Sequence, residues 1–250
     1  MNKTTRWLAV TPVALGLAVA LGVVLDSPGT AAPKAGTRLL ANVQQGNLKF
    51  KRIGRMSFGP NGVLLVADGG TGSVVAIETG DTGPVKKLKK RVDQVDRLVA
   101  ASLGAKPGGV AIVDMAVNRA SGLIYLSVLR QPGNQGAIVT IDADGRPGLL
   151  DLSKARHVRV KLPGGKAGVS NITGVRFAED RVLAAGQSGS QFSSKIYSIP
   201  LPLTHGASAD VYSAETYHVS HGRWETRAPI QSFVPIKENG KNYIVGSFSC

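Results

Sequence analysis

The chain has 250 residues, 43% of them hydrophobic and 18% charged, enough for one sizeable core or two small ones and too apolar for a disordered tail. Gly 31 and Pro 13 suit many tight turns and exclude an architecture of long helices. Lys and Arg number 30 against 16 acids, and the formal charge of +14 favours anionic partners: nucleic acid, acidic polysaccharide or lipid headgroups.

Residues 1–31 come first and set the expected compartment. "MNKTTRW" carries Lys3 and Arg6, and Val13–Leu25 is an uncharged apolar run of 13 residues. "SPGTAAPKAG" then supplies small residues around a cut after Ala31, with Gly29 and Ala31 in the two pocket positions. These are the parts of a secretory signal. Counted from Trp7 the segment reaches 19 residues, close to the ~20 of a membrane span, so an uncleaved anchor is the alternative. Either way the body of the protein, residues 38–250, is expected outside the cytoplasm, secreted or periplasmic, with membrane contact only through an uncleaved leader. That location argues against nucleic acid and leaves a protein or an acidic polysaccharide as partner.

From Ile53 one pattern recurs: "IGRMSFGPNGVLLVADGG", "IVDMAVNRASGLIYLSVL" from Ile112, "ITGVRFAEDRVLAAGQS" from Ile172 and "IQSFVPIKENGKNYIVGSF" from Ile230. An apolar residue follows three positions on, at Met56, Met115, Val175 and Phe233. Then come a polar turn and a second apolar strand, starting at Val63, Leu123, Val182 and Tyr243. The isoleucines stand 59, 60 and 58 residues apart. In the first three copies "SVVAI", "AIVTI" and "KIYSI" supply a third strand ending at Ile77, Ile141 and Ile199. Such repetition of short β-branched strands between Gly, Asn and Asp turns predicts an all-β repeat architecture. Each unit is a small antiparallel sheet that buries its faces on its neighbours, and radial stacking makes a β-propeller of about 60-residue blades.

The excess over a typical blade lies partly in "GPVKKLKKRVDQVDRLVAASLGAKPGG". One long basic helix would place Lys86, Lys87, Lys89, Lys90 and Arg91 where the helix dipole favours acids. The segment divides better into an outer strand over Pro84–Arg91 and a short helix over 94–103, capped by Asp93, with Asp96 in its first turn and Gly104 as its stop. Asp68 in "VADGG", together with "GDTG" and "DADG", reads as turn chemistry and not as a calcium loop, whose further acids are missing.

The stretch "FGPNGVLLVADGGTGSVVAIETGD" resembles the NHL, YVTN and senescence-marker-type gluconolactonase group of propellers. "DMAVNRASGLIYLSV", "GVRFAEDRVLAAGQS", "IYSIPLPL" and "HGRWETRAPIQSFVPI" are similar to segments of exported bacterial propeller proteins with no established activity. The resemblance implies a fold and a location. About four blades fit, the last incomplete at Cys250, so the expectation is a propeller truncated at its C-terminus. Cys250 is also the lone cysteine.

A propeller's ligand site lies at one mouth of its channel, at the first residues of each inner strand. Here those are Arg55, Asp114, Asn171, Thr173 and Gln231. In the gluconolactonase-like proteins a divalent cation sits there on oxygen ligands, which implies Asp114 and Asn171 as metal ligands. The other reading has Asp114 satisfying backbone N–H groups and Asn171 making an Asx turn. Arg55 points instead to an anionic or carbohydrate ligand. His218 and His221 lack the further ligands of a zinc site, Ser188 in "GQSGS" lacks the second glycine of a nucleophile elbow, and Asn171-Ile172-Thr173 is a glycosylation sequon by letter only. Tyr217 and Trp224 are expected to pack between blades, with a sugar-stacking surface as the alternative. The expected function is an exported, non-catalytic, cofactor-free binding module for a protein or anionic glycan. A metal-dependent lactonase-type hydrolase with its site in the channel is the alternative, and a quinoprotein-type oxidoreductase ranks last, since no cofactor-holding cluster is visible.

Overall fold

The structure, a computed structural model, describes residues 38–164, 169, 171–189, 192–218 and 222–249. The leader over residues 1–31, His221 and Cys250 lie outside the described residues. Among the described residues no helix is long and apolar enough to cross a membrane.

The protein is all-β, built from antiparallel sheets that follow the repeats. Two short strands, β1 (Leu40–Ala41) and β2 (Gln44–Gly46), precede the first sheet of β3 (Ile53–Phe58), β4 (Val63–Asp68) and β5 (Ser73–Glu78). β4 is buried on both faces and β5 nearly so, which their unbroken apolar runs require. The β3–β4 turn holds Asn61 at φ 56 and Gly62 at φ 68. A Cβ on Gly62 would collide with the Asp81 carbonyl, so this turn accepts glycine alone.

Helix α1 (Val95–Ser102) has Asp96 in its first turn, and Gly104 follows it at φ 60. Asp93 does not cap it. Gln94 occupies the left-handed region at φ 51, and Asp93 pairs with Arg91 at 2.6 Å instead. The expected outer strand over 84–91 is also absent: this segment is irregular, and the Lys86 and Lys89 amides donate to the Ser121 and Ala143 carbonyls. The lysine run thus lies along the turns of the second sheet, β6 (Val110–Val117), β7 (Ile124–Arg130), β8 (Gln135–Ile141) and β9 (Pro147–Leu149).

The outer strand of the first sheet is β10 (Ala155–Lys161), which pairs antiparallel with β5 after the chain has completed the second sheet. β2 pairs on its far side, giving the order β2-β10-β5-β4-β3. The third sheet is β11 (Asn171–Ala178), β12 (Arg181–Gln187) and β13 (Ser194–Pro200). β14 (Leu203–Thr204) then runs parallel to β1, and β15 (Asp210–Ala214) completes the third sheet beside β13. A hairpin of β16 (Thr216–His218) and β17 (Arg223–Glu225) leads to the fourth sheet, β18 (Ile230–Glu238) and β19 (Lys241–Phe248).

Every sheet turns its isoleucine face the same way. Ile53, Met56 and Ile77 of the first sheet pack on Ala116 and Tyr125 of the second. Val175, Phe177 and Ile199 of the third pack on Val63, Leu65 and Val158 of the first. Ile230 and Phe233 of the fourth pack on Ala185, Leu183 and Ile196 of the third. The spatial order is therefore second, first, third, fourth, with β3 between β6 and β11. The sheets do not stack in chain order: the second sheet is an excursion between β5 and β10. Among the described residues no sheet lies beyond its own isoleucine face, and α1 covers part of it by seating Val99 on Leu126, Val128 and Val139. Ile112, Met115 and Val117 are left exposed there, which is why Ile112 alone among the four repeat isoleucines is not buried.

Candidate functional site

Each inner strand carries a β-bulge just after its isoleucine. The register slips between Ile53 and Met56, Ile112 and Asp114, Ile172 and Gly174, and Ile230 and Ser232. A bulge re-aims side chains and leaves ladder groups unpaired. Here the neighbouring sheet catches several of them. Ser127 Oγ donates to the Gly54 carbonyl at 2.9 Å, Gln187 Nε2 donates to the Ile230 carbonyl at 2.8 Å, and the Met56 amide donates to Asp114 Oδ2 at 2.8 Å.

The four bulges converge on one cavity of about 280 Å³, lined among others by Arg52, Arg55, Val113, Asn171, Thr173 and Gln231. Four of the residues expected from the repeat alignment, Arg55, Asn171, Thr173 and Gln231, thus meet at one place. Asp114 stands beside them, its Oδ1 3.6 Å from Arg55 Nη1, which also donates to the Val113 carbonyl at 3.5 Å. Asn171 Nδ2 donates to Gln187 Oε1 at 3.4 Å, Thr173 Oγ1 to the Ala185 carbonyl at 3.5 Å, and Gln231 Nε2 to Ser249 Oγ at 3.0 Å.

The cavity's balance is cationic. Its lining has two arginines and no carboxylate among the described residues. A third arginine, Arg176 on β11, lies close enough to feel both Asp114 and Arg55. Burial lowers its pKa, the Asp114 charge works against that, and the Arg55 charge adds to it. Alignment of the repeats missed Arg52 and Arg176. Arg52 stands one residue before the repeat begins, and Arg176 sits where the other copies have Ser57, Ala116 and Val234. Its only sequence signal was a cation inside an otherwise apolar strand, "GVRFA".

Asp68, on β4, organises the wall next to this cavity. Its carboxylate accepts from the Arg52 amide at 3.0 Å, the Lys51 amide at 3.3 Å, the Gly70 amide at 3.2 Å and Arg159 Nη1 at 2.7 Å. Burial alone would raise its pKa, yet the Arg52 amide, Arg159, Thr71 and the Lys51 amide together hold it below the ordinary value of 3.8. Asp142 of "DADG" likewise accepts from the Asp144 and Arg146 amides at 2.9 and 2.8 Å, as a turn aspartate does.

Among the described residues no three His, Cys, Asp or Glu side chains converge in a way that would hold a metal ion. His218 stands 3.7 Å from Glu225 across β16–β17. On the same hairpin Tyr217 and Trp224 meet edge to face at 5.5 Å and are 50% and 66% exposed, so they do not pack between sheets as expected. A second cavity, about 710 Å³, lies away from the four bulges, between the third and fourth sheets.

Comparison with family models, with curated proteins and with solved structures gives no match.

Proposed function

We propose that the chain is an exported binding module of β-propeller type, and that its four-bulge cavity takes the carboxylate group of an acidic polysaccharide. The observation that carries this is the convergence of Arg52 and Arg55 with the amide and hydroxyl groups of Asn171, Thr173 and Gln231 in a cavity that no carboxylate lines among the described residues. A guanidinium fork matches a carboxylate in two hydrogen bonds, and the neutral groups suit sugar hydroxyls. At about 280 Å³ the cavity is at the small end of ligand sites, room for one sugar acid and not for a chain. The remaining positive charge of the protein supplies attraction along the polymer outside it.

In this reading Asp114 is a strut. One oxygen accepts the Met56 amide and the other faces Arg55, so it aligns the first and second sheets and aims the guanidinium. The leader is read as a secretion signal, consistent with a partner met outside the cytoplasm. A uronate oligosaccharide such as an alginate fragment should bind with an affinity that falls as salt is raised. Arg55→Ala should weaken it about tenfold, the loss of one charge-assisted pair. Equal binding of a neutral oligosaccharide, or an unchanged affinity in Arg55→Ala, would refute the assignment. Metal analysis of the purified chain covers the lactonase alternative: one tightly held divalent ion, lost in Asp114→Ala, would replace the strut with a ligand.

A further inference from the structure

Residues 84–91 cross the second sheet at the end away from the four bulges. The bulges sit at the starts of the inner strands, whereas this segment is tied to the turns at the other end. The Lys86 amide donates to the Ser121 carbonyl at 2.7 Å in the β6–β7 turn, and the Lys89 amide donates to the Ala143 carbonyl at 2.9 Å in the β8–β9 turn. Two backbone anchors thus hold an irregular strap in place. Val85 and Leu88 lie on it 59% and 41% exposed, interleaved with Lys86, Lys87, Lys89, Lys90 and Arg91, all exposed.

The charge at this end is only partly cancelled. Lys89 pairs with Asp144 at 2.7 Å and Arg91 with Asp93 at 2.6 Å. Asp81 and Asp142 are occupied by neutral donors: Asp81 accepts from Asn118, Ser121 and Tyr125, and Asp142 from the amides of Asp144 and Arg146. Lys86, Lys87 and Lys90, with Arg119 and Arg146 in the adjoining turns, have no ion-pair partner among the described residues.

We infer that this strap docks on an anionic lipid bilayer: the lysines meet headgroup phosphates, and Val85 and Leu88 enter the layer beneath them. Clusters of about four to eight basic residues are drawn to such surfaces. Charge alone would suit a soluble polyanion equally. The two apolar side chains decide between the partners. A hydrated polymer gives them nothing to be buried in, whereas the boundary between headgroups and acyl chains does. The four-bulge cavity lies at the other end of the strands, so docking neither uses nor blocks it and stands whether or not a uronate binds there.

The test measures partition of the whole chain onto vesicles of phosphatidylglycerol and phosphatidylcholine in equal parts. Binding should fall as salt is raised. Lys86→Gln and Lys87→Gln should each weaken it about fivefold, and Leu88→Ser about threefold, the loss of a half-exposed leucine from the interface. The leader is common to every variant, so differences among them read the strap. These side chains are exposed, and unchanged denaturant unfolding of each variant checks the fold. An environment-sensitive dye on Leu88→Cys, in a chain carrying Cys250→Ser, should shift to the blue on these vesicles and become shielded from aqueous iodide. Equal binding by all the strap variants overturns the proposal, because the vesicles are then held elsewhere on the chain. A dye that stays in water on bound protein overturns it too. So does retention on soluble alginate that Lys86→Gln and Lys87→Gln weaken while vesicle binding is unchanged, which would give the strap to a polymer.

Discussion

Asp68 has no exposed surface, yet it is ionised, because two backbone amides at Lys51 and Arg52, the Gly70 amide and the Arg159 guanidinium all point at it. Its folded pKa is lowered from 3.8, so its contribution to stability is fully present above that value. The contribution is lost as pH falls through the folded pKa. Asp68→Asn removes the carboxylate of the Arg159 ion pair and forces an amide NH₂ toward backbone donors. Denaturant unfolding at pH 7 should show a loss of about 3 kcal/mol, in the range for breaking a buried pair. The variant should also lose less stability than the parent on acidification below pH 3.8; an identical acid limb in both proteins would show that Asp68 is not the titrating group. Tyr125 illustrates the opposite sense at the same scale: burial first, then the Asp81 charge, push its hydroxyl up to about 12. It therefore stays a neutral donor, 3.2 Å from Asp81, across the junction of the first two sheets.

At the scale of elements, stability is assembled face by face. The main packing contacts of each sheet are with its spatial neighbours, so stability is close to a sum of sheet-to-sheet terms. The fourth sheet depends on one such contact, where Phe233 is 1% exposed and sits against Gly174. Phe233→Ala should cost about 3–5 kcal/mol locally. Hydrogen exchange should speed up along β18 and β19 while β4 and β5 keep their protection. Uniform loss of protection across all four sheets would mean that the stack unfolds as one unit. The helix is the counterpart of this contact at the opposite end. Among the described residues the second sheet has no further sheet on its isoleucine face, and α1, whose Val99 is wholly buried, covers part of it.

For the whole molecule, the order second, first, third, fourth makes a definite claim about through-space contacts. Gly59 of the first sheet lies beside the Phe177 ring of the third, and Gly136 of the second lies beside Ile53 of the first. Nuclear Overhauser contacts should appear between the Phe177 ring and Gly59, and between Gly136 and the Ile53 methyls. Contacts from Phe177 to Tyr125 instead would mean that the sheets stack in chain order. The arrangement follows from β10. By returning to pair with β5 it takes the outer edge that residues 84–91 were expected to fill, and the next described strand, β11, lies against β3 on the other side of the first sheet from β6.

Read alone, the sequence was enough to locate the inner strands, the third strands ending at Ile77, Ile141 and Ile199, and the helix near 94–103. It also singled out Arg55, Asn171, Thr173 and Gln231, because periodic apolar residues and glycine turns are local signals repeated at a near-constant spacing. It could not supply the return of β10, the exposure of Ile112, the arrival of Arg52 at the four-bulge cavity or the placing of Arg176 near Asp114 and Arg55. Those depend on which sheet lies beside which, a choice made by long-range pairing between residues some 80 apart, such as Glu78 and Arg156. Nothing in the local pattern of either strand encodes that partner. Hydrogen-bond donors and acceptors along every strand edge are chemically alike, and only the packed faces on either side select among them.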